Sequence, residues 1–138
     1  MKIEPVDVSA LDAVMPSLRD DQMGIEPDVG SWFAAFDDDG GILGVARITE
    51  TPGARTIDDV WVRPDARNRG IATALLDQAE SPVWLLCDKD MIGYYERRGF
   101  TLVQPDDFPA ELAAFYGARN EWPATDHVHY AMVRATRS

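Results

Sequence analysis

The sequence has few of the features that would indicate a disulfide-rich, metal-binding or membrane protein. Cys87 is the only cysteine among 138 residues, which excludes an internal disulfide framework and a zinc site built from several cysteines. No run of about 18 apolar residues occurs, so no transmembrane helix is predicted. The opening segment MKIEPVDVSALDAVM lacks the long apolar stretch of a signal peptide. We therefore predict a cytoplasmic protein without membrane contact.

Positive charge is also scarce. The chain has 24 acidic and 13 basic residues, a formal net charge of −11, and lysine only at Lys2 and Lys89. This balance argues against nucleic-acid binding, which needs a basic face to neutralise phosphates. A negative field instead attracts cationic ligands such as amines, although acidity also keeps a small domain in solution.

The length and the hydrophobic content of 46% suit one domain with one core, spanning residues 1–138. No internal repeat or linker interrupts it. Alternating apolar patterns predict strands at 2–8, 31–36, 42–50, 56–62, 101–103 and 127–133, and the apolar run 83–87 predicts a strand buried on both faces. Helical spacing predicts helices from an N-cap at Ser9 to Leu18, at 70–80, at 90–98 with Gly99 as its C′ residue, and within 108–122.

These elements give the order β-α-β-β-β-α-β-α-β-(helix)-β. We predict an α+β fold with a mixed central sheet and helices on both faces. The segment Asp106–Asp126 is long for a connection, so it forms either a lid over a pocket or a helix that patches the core or a dimer interface.

Arginines gather at one turn despite the acidic composition. The strand TIDDVWV leads through Arg63-Pro64 into RNRGIA, residues 67–72, where a helix is predicted to begin. A helix start exposes N–H groups and partial positive charge, and a glycine lets a ligand approach the backbone closely. Such a turn binds anions, above all phosphates. The sequence contains neither GxxxxGK[ST] nor GxGxxG, so the common nucleotide motifs are excluded.

The pattern R/Q-x-x-G-x-G/A after a strand resembles the coenzyme A pyrophosphate loop of the GNAT N-acetyltransferase superfamily. A second motif, GYYERRGF at 93–100, resembles the FYE+xGF motif that lies further along these enzymes. Asp88 departs from the family, which usually has Asn seven residues before the motif tyrosine. The resemblance extends from about Trp32 to Phe100 and implies a GNAT-like fold with acetyl-CoA as co-substrate.

The resemblance also implies roles for particular residues. The pyrophosphate would bind at the turn formed by Arg67, Asn68, Arg69, Gly70, Ile71, Ala72 and Thr73. The pantetheine arm would pair with the backbone of Val60, Trp61 and Val62, as one strand adds to another. Tyr95 would lie near the coenzyme sulfur and act as general acid toward the leaving thiolate. Arg63 would either contact the nucleotide end of the coenzyme or lie in solvent.

An amine acceptor must lose a proton before it attacks, and the predicted bases are Asp58 and Asp59. The stretch IDDV resembles the IED-type strand of the family. Strand alternation predicts that the two carboxylates lie on opposite faces, with Asp58 beside Val60 and Val62. We favour Asp58, while the alternative for each is a polar strand residue without a catalytic role.

Other reactive residues carry weaker signals. His127 and His129 share a predicted strand face, but no third ligand is evident, so no metal site is predicted. Cys87 ends an apolar strand and is interpreted as a small buried hydrophobe, not as a nucleophile.

The sequence therefore predicts an acetyl-CoA-dependent N-acetyltransferase that moves an acetyl group to a primary amine by direct attack. A small-molecule amine is the favoured acceptor, and its identity is left open. Two alternatives remain: a non-catalytic acyl-CoA-binding regulatory module, and an enzyme that acetylates protein lysines or N-termini. The oligomeric state is open, with a homodimer as the family analogy.

Overall fold

The computed structural model describes residues 1–20, 30–51, 54–104, 107 and 130–135. The predicted helix within 108–122, the segment Asp106–Asp126 as a lid or interface, and both histidines lie outside the described residues, apart from Asp107.

The strands follow the predicted order. They are β1 (Lys2–Val6), β2 (Ser31–Phe36), β3 (Ile42–Thr51), β4 (Ala54–Val62), β5 (Val83–Cys87), β6 (Thr101–Leu102) and β7 (Tyr130–Arg134). The helices are α1 (Met15–Asp20), α2 (Ile71–Leu76) and α3 (Ile92–Glu96), with 3₁₀ segments at Val8–Ala13, Pro64–Ala66 and Lys89–Met91. Within the described ranges the strands form one mixed seven-stranded sheet in the order β1-β2-β3-β4-β5-β7-β6. This confirms the predicted α+β class.

Two compact units are distinguished along the chain, and the first comprises Met1–Thr49 with Ile57–Ala79. In it β1 pairs antiparallel with β2, and β2 pairs antiparallel with β3. Pro5 lies in β1, an edge strand, where a missing N–H costs little. The β2–β3 turn is closed by Asp37, whose Oδ1 accepts hydrogen bonds from the N–H groups of Asp39 and Gly41.

One apolar cluster of this first unit joins the N-terminal helical segments to strands β2–β4. Its buried members come from the N-terminal helical segments and the strands, namely Leu11, Val14, Leu18, Trp32, Ala34, Val45 and Trp61. Helix α2 packs at Gly44, where an added methyl group would lie 3.2 Å from Leu75 Cδ1 and 3.3 Å from Ile71 Cγ2. Gly44 therefore brings α2 close to β3.

The predicted N-terminal helix is wrong in form. Asp7, not Ser9, precedes the first helical turn, which is a 3₁₀ segment, and α1 starts afresh at Met15. Pro16 explains the break, because proline lacks an N–H and its ring clashes with the carbonyl four residues earlier. A proline is tolerated in the first turn, so the helix restarts there.

Helix α2 is shorter than the predicted 70–80. After Leu76 the chain tightens to i→i+3 bonds, with the N–H of Gln78 donating to the Leu75 carbonyl at 3.1 Å and that of Ala79 to Leu76 at 3.3 Å. Such tightening is a common way to end a helix.

The second unit comprises Glu50–Thr56 and Glu80–Ser138. In it β7 pairs antiparallel with both β5 and β6, and β4 and β5 are parallel with Thr56 in register with Trp84. Strand β5 alternates, with Trp84 and Leu86 only partly buried, so burial on both faces is wrong for it. In β7 the residues from Tyr130 to Met132 are all buried, so the predicted alternation is wrong there. Neighbouring strands cover the edges of a strand and not its faces, so the burial of these consecutive residues requires packing on both faces of β7.

No helix in the described ranges has the length and apolar character needed to cross a membrane.

Candidate active site

The end of β4 is held firmly in the first unit. The N–H of Arg63 donates to the Leu43 carbonyl of β3 at 2.7 Å. A methyl group on Gly44 would lie only 2.7 Å from the Trp61 carbonyl oxygen, so the two strands approach closely here. Trp61 and Val62 are buried, while Val60 is half-buried. The predicted pantetheine-binding residues thus form the last, rigid part of one strand.

The turn after β4 contains two residues with left-handed backbones. The 3₁₀ segment Pro64–Ala66 leads into Arg67, after which Asn68 has φ 66° and Gly70 has φ 81°. Both residue types adopt this conformation more readily than most. A methyl group added at Gly70 would meet no atom of the residues that the structure describes within 4 Å. The backbone at Gly70 therefore faces open space, as a ligand-binding loop requires.

The three arginines are each held by hydrogen bonds. Arg67 Nε donates to the Val62 carbonyl at 2.9 Å, and Arg69 Nη2 donates to the Asp65 carbonyl at 3.1 Å. Arg63 Nε donates to the Asp65 carboxylate at 2.5 Å, and this bond is the main reason that the pKa of Asp65 lies below its usual value. The side chain of Arg63 is thus paired with Asp65, and that of Arg67 links the turn to the end of β4.

Helix α2 begins directly after the turn. The first bond into the helix runs from the N–H of Ala74 to the Gly70 carbonyl at 3.0 Å. The N–H groups of Ile71 and Ala72 precede this bond, and a helix offers no carbonyl to N–H groups in its first turn. Ile71 is buried and anchors the helix, while Ala72 and Thr73 are partly exposed. The structure thus brings all seven predicted turn residues, from Arg67 to Thr73, into one connected strand–turn–helix segment.

The predicted arrangement of Asp58 and Asp59 is wrong. Asp59 has φ 53°, which breaks the alternation of β4, and both carboxylates approach one guanidinium. Arg47 Nη2 lies 3.0 Å from Asp59 Oδ2 and 3.9 Å from Asp58 Oδ2. Side chains alternate only in an extended strand, and a left-handed residue turns the chain out of that pattern.

Sequence reasoning missed Arg47. Its predicted strand, ILGVARITE, alternates, and Arg47 falls on the same face as the apolar Leu43 and Val45. A charge on a core-facing position needs a counter-charge nearby, and that requirement points to the acidic pair on the next strand.

Tyr95 lies in the second unit, in helix α3. Its ring contacts those of Tyr94 and Phe100, with centroids 5.1 and 5.9 Å away. Helix α3, Ile92–Glu96, is shorter than the predicted 90–98, but Gly99, φ 90°, closes the turn after it as predicted. The N–H of Gly99 donates to the Glu96 carbonyl and that of Phe100 to the Tyr95 carbonyl. This termination places Phe100 against Tyr95.

Tyr94 has a packing role. The Arg98 guanidinium lies 3.4 Å from the centroid of the Tyr94 ring, and Arg98 Nη1 donates to the Tyr94 carbonyl at 2.8 Å. A cation over an aromatic face stabilises this end of α3.

Cys87 is unsuited to nucleophilic attack. Burial raises the pKa of its thiol from 9.0 to about 12, with a smaller contribution from Asp88. Its sulfur lies 3.7 Å from Met132 Sδ, inside the second unit. Because the thiolate is the nucleophile, this environment favours the predicted structural role. Among the described residues, no group of three or more His, Cys, Asp or Glu side chains could hold a metal ion.

A known protein family matches a range of this chain that includes the strand–turn–helix segment. The sequence pattern of the acetyltransferase (GNAT) domain family matches residues 28–102, more than half of the chain. The chain belongs to the GNAT family. It is therefore an acyltransferase, and acetyl-CoA is the co-substrate of these enzymes. A search of curated protein sequences found no match.

Solved structures of low sequence identity share the GNAT fold. N-acetylglutamate synthase from Neisseria gonorrhoeae, crystallised with coenzyme A and N-acetyl-glutamate, superimposes with a TM-score of 0.70 at 16% identity over 100% of this chain. The chain spans only 36% of the length of that synthase. Rv2747 from Mycobacterium tuberculosis, crystallised with coenzyme A, gives a TM-score of 0.70 at 17% identity and covers 99% of this chain and 100% of its own. An acyl-CoA N-acyltransferase from Pseudomonas aeruginosa gives 0.61 at 20% identity, with 97% and 99% covered.

Proposed function

We propose that this GNAT enzyme, as one domain over residues 1–138, transfers the acetyl group of acetyl-CoA to a primary amine of a small molecule by direct attack. The observation that carries the proposal is the turn Arg67–Thr73, in which a left-handed Gly70 faces open space beside arginines. That geometry fits a pyrophosphate, because backbone N–H groups and guanidinium groups are the donors that phosphates prefer.

In this proposal the turn residues bind the pyrophosphate, and the backbone of Val60, Trp61 and Val62 aligns the pantetheine arm. A backbone N–H near Val62 polarises the carbonyl that the amine attacks. Bound acetyl-CoA supplies an activated acetyl thioester. The rigid end of β4 supports this role, since it is tied to β3 through Arg63 and to the turn through Arg67.

Two proton movements complete the proposed reaction. Asp58 or Asp59 takes a proton from the acceptor ammonium, because only the neutral amine has a lone pair for attack. Tyr95 donates its phenolic proton to the thiolate that leaves. The ring contacts with Tyr94 and Phe100 support this role for Tyr95, since they hold its ring in one orientation.

The charge of the chain favours a cationic acceptor. The N. gonorrhoeae synthase was crystallised with N-acetyl-glutamate, a dianionic ligand. The present chain carries a formal net charge of −11, which attracts amines and repels dicarboxylates. We therefore place polyamines, aminoglycoside-like amines and other basic small molecules ahead of acidic amino acids as acceptors.

The test is a screen of amines with acetyl-CoA, in which free coenzyme A is detected with a thiol reagent and the product by mass spectrometry. The panel holds polyamines, aminoglycosides, all amino acids, and peptides with free lysines or N-termini. We expect acetylation of at least one basic small molecule, and its loss in the Asp58→Asn/Asp59→Asn double variant. Acetyl-CoA binding by calorimetry without any product would indicate the non-catalytic module instead. Product on peptides alone would indicate a protein acetyltransferase.

A further inference from the structure

Arg47 is a buried cation in β3. Its side chain is 9% exposed, and those of its partners Asp58 and Asp59 are 16% and 11% exposed. Removing a guanidinium and two carboxylates from water is costly unless the charges compensate one another. We therefore expect a buried arginine in an apolar strand to serve a function.

The surroundings of Arg47 restrict it to one position. It is the cross-strand partner of Trp32, and its guanidinium carbon lies 5.8 Å from the centroid of the indole. On another side Gly30, φ 81°, leaves room for the aliphatic stem, since a methyl group there would lie 3.1 Å from Arg47 Cγ and 2.5 Å from Thr49 Oγ1. The side chain is thus fixed by packing and not only by charge.

The ion pair coincides with the unusual backbone of β4. Asp59 has φ 53°, a conformation that few residues other than glycine adopt, although aspartate is among the more tolerant. Its carboxylate makes the closer contact with Arg47, at 3.0 Å. Because the backbone turns at this residue, the carboxylate of Asp58 also comes to within 3.9 Å of the same nitrogen.

The two distances differ in chemical meaning. At 3.0 Å the Arg47 nitrogen and the Asp59 oxygen are in direct ionic contact, whereas 3.9 Å is close to the outer limit of an ion pair. A carboxylate in direct contact with a guanidinium is held as an anion and takes up a proton reluctantly. Of the two candidates, Asp58 is therefore the better proton acceptor.

We propose that Arg47 is a positioning residue, which holds Asp59 in its left-handed conformation as an ion-pair partner and so presents Asp58 as the catalytic base. This inference rests on the proposed function. The acceptor ammonium gives one proton to Asp58, which becomes a neutral carboxylic acid and later returns the proton to water. The nitrogen then forms the C–N bond while the C–S bond breaks. Its second proton leaves as the amide forms, which balances the proton given by Tyr95 to the thiolate.

The pairing can be tested without an acceptor. Carboxyl resonances of protein labelled with ¹³C at aspartate are titrated by NMR and assigned with Asp58→Asn and Asp59→Asn. In Arg47→Met we expect the titration midpoint of Asp59 to rise by about one pH unit or more and that of Asp58 to rise less. The control is Arg55→Met, which removes a more exposed pair with Glu50 and should leave both midpoints in place. A larger shift at Asp58, or no shift at either carboxyl, overturns the assignment.

The catalytic part uses the best amine from the panel. We expect Asp58→Asn to lower kcat about 100-fold or more, as for loss of a general base. Arg47→Met and Asp59→Asn should lower kcat about tenfold, with the KM for acetyl-CoA nearly unchanged, and Arg47→Lys should restore part of the loss. Equal losses in Asp58→Asn and Asp59→Asn, or parental turnover in Arg47→Met, contradict the proposal.

These experiments distinguish failure of the proposed function from failure of the proposed role of Arg47. If no amine is acetylated, the proposed function fails, while the NMR titration still decides which carboxylate Arg47 holds. If Arg47→Met does not fold, Arg47→Lys and Asp59→Asn supply the same comparisons, because the first keeps the charge and the second keeps a residue that tolerates the left-handed backbone.

Discussion

Replacing Gly70 by alanine should separate ligand binding from stability, because Gly40 offers a matched control. The backbones at Gly70 and Gly40 have φ 81° and 83°, and within the described part of the chain a methyl group at either position would meet no atom within 4 Å. Gly40→Ala and Gly70→Ala should therefore cost the same free energy of unfolding, about 1–2 kcal/mol for a left-handed alanine. For a chain of this length, that cost lowers Tm by about 3–10 °C.

Only Gly70→Ala should affect the co-substrate. The new methyl group projects into the open space beside the turn, where it would keep a phosphate from the backbone N–H groups. Loss of one charge-assisted hydrogen bond costs about 1.5–3 kcal/mol, which corresponds to an affinity for coenzyme A about 10- to 150-fold lower. Isothermal titration calorimetry measures this affinity, and scanning calorimetry measures Tm. Unchanged affinity in Gly70→Ala, or equal weakening in Gly40→Ala, would refute the assignment of the turn.

Three further predictions concern the strand, the acid and the thiol. Tyr95→Phe should lower kcat at least tenfold while changing the free energy of unfolding by no more than about 1 kcal/mol, because the ring contacts remain; unchanged turnover at every pH would exclude the general-acid role. Gly44→Ala should destabilise the fold by about 1–3 kcal/mol in urea unfolding, since the methyl group would lie 2.7 Å from the Trp61 carbonyl. Cys87, with a pKa raised from 9.0 to about 12, should react with iodoacetamide in the native enzyme at pH 8 about a thousandfold more slowly than a free thiol. Rapid modification of the native enzyme would contradict the burial. Because the pKa of Cys87 is higher in the folded than in the unfolded protein, the contribution of this thiol to stability is complete below pH 9 and is lost as the pH rises toward 12.

Local chemistry explains which parts of the fold were predictable. The C′ glycine Gly99 and the strand–turn–helix around Gly70 depend on residues close together in sequence, and both were located correctly. The spacing of apolar residues does not distinguish a 3₁₀ segment from the first turns of an α-helix, so the 3₁₀ segment before Pro16 was missed. Pro16 itself indicates that the helix is interrupted there.

The arrangement of the acidic pair could not be derived in the same way. Strand alternation assumes an extended backbone, and nothing in IDDV says that Asp59 departs from it. The departure coincides with Arg47, which comes from a different strand and is brought near by the fold. The roles of Asp58, Asp59, Tyr95 and the turn residues stay predictions, since they concern ligands and proton transfers.

The hydrogen bonds of the turn arginines have a consequence for the thermodynamics of binding. A mobile arginine side chain has about 2 kcal/mol of conformational entropy to lose when a ligand immobilises it. Here Arg67 is already restrained by the Val62 carbonyl and Arg69 by that of Asp65. Much of the ordering therefore takes place when the protein folds, and a ligand that reaches these side chains loses less of its binding free energy to ordering them.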